Sequence, residues 1–160
     1  MRLAGPAVLS TLATQSLLVV DTVMVAGFGE RAIASASLAT LVSFATVMVA
    51  RGTQRGMDPL VSQAFGAGER ESAGRWLQRA GVLGQLLVLP VGLLHWAAGP
   101  ILYWLHQPDA VIPDADYWCR VLILGLPAFM AQGAIHLFLQ AIGRMRPITI
   151  TVLLGNVLNI

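Results

Sequence analysis

From Leu3 to Gly29 the chain carries one charge, Asp21, in a run otherwise built of apolar, small and neutral polar residues. At about 1.5 Å per residue, roughly 20 apolar residues in a helix cross the ~30 Å hydrocarbon core of a bilayer. The run is long enough to span and too long for the apolar region of a signal peptide, which an internal acid also fits poorly. A carboxylate inside a span costs ~2.5–3.5 kcal/mol on insertion scales. That cost is tolerated where the acid faces a water-filled cavity and binds a cation or carries a proton. The plainer alternative is an acid near the outer boundary, or one paired with a neighbour to hold two helices together. Asp is short and reaches the interface poorly, so Asp21 is first read as an ion-coupling acid. Gln15 and Thr14 lie about two turns before it and could share a polar stripe.

Composition points the same way. Hydrophobic residues make up 56% of the chain and charged residues 11%, against about 25% in a soluble domain. Too few polar side chains exist to cover a globule, so the chain belongs in lipid. The net charge of +2 comes from arginine alone, and these arginines sit at segment ends without clustering, which argues against a nucleic-acid partner. Cys119 is the single cysteine, which excludes an intramolecular disulfide and a cysteine-based metal cluster.

Charges and turn residues divide the sequence into about five apolar stretches, near 3–28, 32–57, 80–105, 119–142 and 147–160. The expected fold is therefore an all-α, polytopic transmembrane helix bundle. Arg2, then Arg70, Arg75 and Arg79, then Arg144 and Arg146 fall at one set of boundaries. Glu30 with Arg31, then Asp109, Asp114 and Asp116 ahead of Arg120, fall at the other. Arginine-rich loops stay cytoplasmic, which puts the N-terminus inside and the Asp109–Asp116 loop outside. The last stretch holds 14 residues, about 21 Å of helix and short of the hydrocarbon thickness. The chain is on this ground expected to be the N-terminal piece of something longer.

Several residues could carry chemistry. Arg51, Arg55 and Asp58 recur at i, i+4 and i+7 and would share one helical face. That face is either solvated beyond the membrane or lines a cytoplasmic vestibule with Arg55 and Asp58 paired. Gly52 and Gly56 form a small-xxx-small pair that would admit a close helix neighbour. His95 and His136, within spans, are read as hydrogen-bonded packing residues. Pro90 and Pro127 fall mid-span and would bend their helices. Gly27-Phe28-Gly29 and Gly66-Ala67-Gly68 follow no strand and read as turns ending helices, not as nucleotide loops. No paired-carboxylate, Ser-His or His-rich pattern supports an enzyme, and no cofactor is expected beyond a coupling ion.

Three segments together resemble the multidrug and toxic compound extrusion (MATE) family of efflux antiporters. They are Pro6 through Gly29 with Asp21-Thr-Val-Met-Val-Ala-Gly-Phe-Gly, followed by Ala-Ile-Ala-Ser-Ala-Ser-Leu from Ala32; Asp58-Pro-Leu-Val-Ser-Gln-Ala-Phe-Gly-Ala-Gly-Glu69; and Gln140-Ala-Ile-Gly-Arg-Met-Arg-Pro147 leading into Gly155-Asn-Val-Leu-Asn-Ile160. The resemblance implies twelve helices in two lobes around a central cavity, of which this chain would be an incomplete first lobe, in the inner (plasma) membrane. It implies export of organic cations and amphipathic compounds in exchange for H⁺ or Na⁺. It assigns cation or proton coupling to Asp21 and to Asn159, the asparagine of an Asn-x-x-x-Asp whose acid would lie beyond Ile160. Gln15, Arg55, Asp58, Gln63 and Asn156 are candidates for the cavity or its gate. The partners implied are the bilayer, small amphipathic or cationic substrates and a second lobe. Two alternatives stand beside this: a flippase for lipid-linked precursors, and a membrane scaffold in which packing at Gly52 and Gly56 matters and Asp21 does not.

Overall fold

The computed structural model describes residues 12, 15, 16 and 19–159, with side chains through residue 155. Residues 19–26 are helical and are closed by a turn in which Phe28 N–H bonds the Val25 carbonyl at 3.0 Å and Gly29 N–H that of Ala26 at 3.2 Å. Seven helices follow: α1 (Glu30–Arg55), α2 (Asp58–Gly66), α3 (Arg70–Trp96), α4 (Ala98–Trp104), α5 (Ile112–Leu122), α6 (Leu126–Ala141) and α7 (Arg146–Asn159). A 3₁₀ turn, Ile123–Gly125, joins α5 to α6. Among the described residues there is no strand, so the fold is all-α.

Three helical stretches are long and apolar enough to cross a membrane: Glu30–Gly66, Arg70–Trp96 and Ile112–Ala141, with mean hydropathies of 1.9, 1.5 and 1.8. Of the expected spans, half of 3–28 lies outside the described residues, and the last is the shorter apolar helix α7. Little of these stretches is buried inside the bundle. Val49, Leu89 and Leu124 are 73%, 70% and 85% exposed, an outward apolar surface that suits lipid and not water. The chain is a multi-pass membrane bundle.

Lipid is as apolar as a leucine core, so helices in it associate by close packing and by hydrogen bonds. Both are visible. One cluster joins Ala39 of α1, Ala98 and Leu102 of α4, and Ile112, Ala115 and Cys119 of α5; a second joins Ala50 of α1, Val91 of α3, and Leu126 and Met130 of α6. Alanines at these contacts let the backbones approach. His95, fully buried, adds a polar tie. Its Nδ1 lies 2.9 Å from the Val91 carbonyl and so must donate, which leaves Nε2 to accept from the Ser43 hydroxyl at 3.1 Å. The packing role expected of His95 is thereby satisfied on both nitrogens.

Helix ends follow turn chemistry. After α2, Gly68 (φ 80°) closes a Schellman motif, with Glu69 N–H on the Ala64 carbonyl at 2.9 Å and Gly68 N–H on that of Phe65 at 3.1 Å. Gly143 (φ 72°) repeats it after α6, where Arg144 N–H reaches the Leu139 carbonyl at 2.8 Å. Pro90 lies inside α3, as expected. Pro127 instead occupies the first turn of α6, where its missing N–H costs nothing, and the Gln85 amide donates to its carbonyl at 3.0 Å.

The acidic end of the bundle departs from the sequence expectation. Asp114 and Asp116 are not in a loop but ride on the opening turns of α5. Asp114 complements the helix dipole and pairs with Arg31 of α1 at 2.9 Å. Asp116 accepts the Gly99 N–H at 2.8 Å and pairs with Arg120 at 2.9 Å. Arg120 in turn lies 4.6 Å over the Trp96 ring. These acids tie helix ends together.

Candidate functional site

Asp21 belongs to the helical segment 19–26, where Val19, Val23 and Met24 are exposed apolar neighbours and Asp21 itself is exposed. A carboxylate thus sits on an otherwise lipid-compatible helix surface. Gln15 is helical and exposed. Asn156 and Asn159 lie three residues apart in α7 and so share a helical face; their side chains lie outside the described residues.

The basic stretch after Ala50 is arranged differently from the expected single face. α1 ends at Arg55, Gly56 and Met57 form a turn, and α2 restarts at Asp58. The seven-residue register between Arg51 and Asp58 is broken there. Arg55 is exposed in the last turn of α1, where its charge meets the helix's negative end. Asp58 is half-buried in the first turn of α2, and its Oδ1 accepts no hydrogen bond. Among the described residues Arg55 and Asp58 form no ion pair. Gln63 is exposed on α2.

Arg51 turns inward and stacks on Phe129 of α6, with 4.4 Å from Cζ to the ring centroid. Three residues on, Gln54 is fully buried. Its Nε2 donates to the Ala80 carbonyl of α3 at 3.3 Å and the Met130 carbonyl of α6 at 3.1 Å. Two carbonyls fix which end of the amide is nitrogen, so Oε1 must point away from them, and no protein group donates to it. His136, one turn past Gly133 on α6, also holds a buried Nε2 without a partner. Arg51, Gln54 and His136 therefore form a polar knot between α1 and α6.

Glycines make room for this knot, though not the ones the spacing picked out. A Cβ on Gly84 would collide with Gln54 Nε2 and lie 3.4 Å from Met130 Cβ. One on Gly133 would collide with Arg51 Nη1 and lie 2.9 Å from Gln54 Oε1. At Gly52 nothing lies within 4 Å, and at Gly56 only the Thr53 carbonyl does. Among the described residues, the small-xxx-small pair thus receives no helix neighbour. Gln54 escaped the sequence reading because it is uncharged. The available signal was an amide three residues after Arg51 at the basic end of an apolar stretch, one turn ahead of Asp58.

An all-α bundle with three membrane-length helices defines a polytopic membrane protein. The MatE family model matches residues 6–160, and the chain belongs to the MatE family. It is 29% identical over its whole length to a "Probable multidrug resistance protein NorM" of Synechocystis sp., of which it covers 35%. It is 32% identical over 99% of its length to a protein of the same description from Pseudomonas putida, covering 34% of that chain. It is 28% identical over 81% of its length to "Multidrug resistance protein MdtK" of Cronobacter sakazakii, covering 29%. The chain thus spans about a third of the length of the first two relatives. No solved structure matches it.

Proposed function

We propose that this chain forms part of the first lobe of a secondary antiporter in the plasma membrane, exporting amphipathic or cationic organic compounds in exchange for H⁺ or Na⁺. The observation that carries the reading is Asp21, an exposed carboxylate among exposed valines and a methionine on an apolar helix. Such an acid is retained where it has a cation to hold or a proton to carry. The resemblance adds Asn159, on another helix, as the second member of the site, and an oxygen-rich pair suits a hard cation or a shared proton. On this reading Gln15, Arg55, Asp58, Gln63 and Asn156 are candidates for the cavity or its gate. The second lobe closes the other wall, and the relatives' description as multidrug resistance proteins supports the substrate class.

Coupling requires that ion binding favour one orientation of the cavity over the other, because a ligand shifts an equilibrium only by its differential affinity. Asp21→Asn in the full-length protein removes the titratable charge and keeps the shape. Gradient-driven dye efflux is expected to stop while insertion into the membrane continues. Normal efflux by that variant would remove Asp21 from the coupling role.

A further inference from the structure

One stripe of α3 is left exposed by the described bundle. Arg75, Arg79, Val82, Leu86 and Leu89 follow one another at alternating steps of four and three residues and so lie in one row. All five are exposed, the last three by 61%, 66% and 70%. At the basic end of the row opens a cleft of about 510 Å³, lined by Arg75, Gln78, Arg79, Val82, Leu83 and Leu86. It continues past Gly81 and Gln85 to Ala131 of α6. A Cβ on Gly81 would meet nothing within 4 Å, so the groove between α3 and α6 is open there.

Depth and charge select the occupant. No Asp, Glu, Lys or Arg lies between Arg79 and Trp96, a rise of about 26 Å and close to the ~30 Å hydrocarbon core. Trp96 thus marks one interface and Arg79 the other. Arg79 lies 4.5 Å over the Trp76 ring, a contact that takes the face of the guanidinium and not its N–H edge. Among the described residues it makes no ion pair. Arg75, one turn further out, shares its charge with Glu71 at 2.8 Å, and no acid lines the cleft. A soluble anion would use the arginines and leave Val82, Leu83 and Leu86 uncovered; a plain hydrocarbon would do the reverse. A zwitterionic headgroup would bring an amine for which the cleft has no carboxylate. We infer that the groove binds an anionic phospholipid from the leaflet at the arginine end, with Arg79, Arg75 and Gln78 at its phosphate and an acyl chain along Val82, Leu86 and Leu89. Basic pockets between transmembrane helices hold anionic headgroups in this way. The rise from Arg79 to Leu89 is about 15 Å, the depth of one leaflet.

The test is native mass spectrometry of the full-length protein in detergent, titrated with phosphatidylglycerol and in parallel with phosphatidylcholine. Tighter binding of phosphatidylglycerol is expected. Arg79→Gln is expected to weaken it about fivefold, the effect of one arginine beside an anionic headgroup. Arg70→Gln removes an equal charge from the same end of α3 outside the cleft and is expected to leave binding nearly unchanged. Gly81→Leu, which puts a side chain into the groove where a Cβ meets nothing, is expected to weaken it as well. The inference is overturned if the two lipids bind alike, if Arg70→Gln costs as much as Arg79→Gln, or if Gly81→Leu binds like the unsubstituted protein. It is equally overturned by an experimental structure in which another segment of the full-length chain, or a second copy, covers Val82 and Leu86. Should Gly81→Leu not fold, the comparison of the two arginine variants decides.

Discussion

Gln54 shows how one residue can hold three helices. In lipid there is no water to take over a broken bond, so its donation to two backbone carbonyls fixes α1 against α3 and α6 at once. Gly84 is the counterpart, because any side chain there displaces the amide. Gly84→Ala is therefore expected to destabilise the full-length protein by about 1–3 kcal/mol, the usual cost of a buried polar group left unsatisfied. Gly52→Ala meets open space within a helix and is expected to be neutral or to gain up to about 1 kcal/mol from helix propensity. Thermal unfolding in detergent compares them; equal losses would mean that the Gln54 contact is not what Gly84 serves. The sequence pattern favoured Gly52 and Gly56 because regular spacing is all that a linear reading can score. Which glycine has a neighbour depends on how helices turn about one another, and that is written in no single stretch.

The elements themselves were largely legible. Apolar stretches bounded by arginines and acids became helices, because hydropathy averaged over a membrane's thickness reports where backbone must satisfy itself. Interruptions were not legible: the turn at Gly56–Met57, the break at Ala97 and the 3₁₀ turn before Pro127 involve a few residues inside apolar surroundings. The glycine stops at Gly68 and Gly143 were readable in kind, whereas His106 closes α4 in the same way at φ 54° with no glycine to announce it. Gln107 N–H bonds the Leu102 carbonyl at 3.1 Å and His106 N–H that of Tyr103 at 3.0 Å. A side chain in this left-handed region is strained, so His106→Gly is expected to raise stability by about 0.5–1 kcal/mol. A lower midpoint would show that the exposed imidazole makes a compensating contact. The acids of α5 separate on similar grounds. Asp114 and Arg31 are both more than half exposed, and Asp114→Ala is expected to cost at most about 1 kcal/mol. Asp116 is 19% exposed and serves both Gly99 and Arg120, so Asp116→Ala is expected to cost more, about 1–3 kcal/mol. A reversed order would refute the structural role given to Asp116.

At the scale of the whole molecule, the fold sorts the charges by end. The Arg31–Asp114 pair, Asp116 and the turn carrying Asp109 lie where α1 and α5 begin. Arg70, Arg75, Arg144 and Arg146 lie where α3 begins, and where α6 gives way to α7. Basic residues near span ends resist translocation, while acids contribute little to orientation. The arginine end is therefore expected to face the cytoplasm, with the knot of Arg51, Gln54 and His136 in the inner half of the bundle and Asp109 outside. Cys119 is buried and bonded toward the Ala39 carbonyl at 3.9 Å, so it gives little background to thiol labelling. In cells making the full-length protein, a cysteine placed by Asp109→Cys is expected to react with a membrane-impermeant reagent added outside. One placed by Arg144→Cys is expected to react only after the membrane is opened. The opposite pattern would invert the bundle, put Arg51 toward the outer face and leave the proposed direction of export without its charge asymmetry.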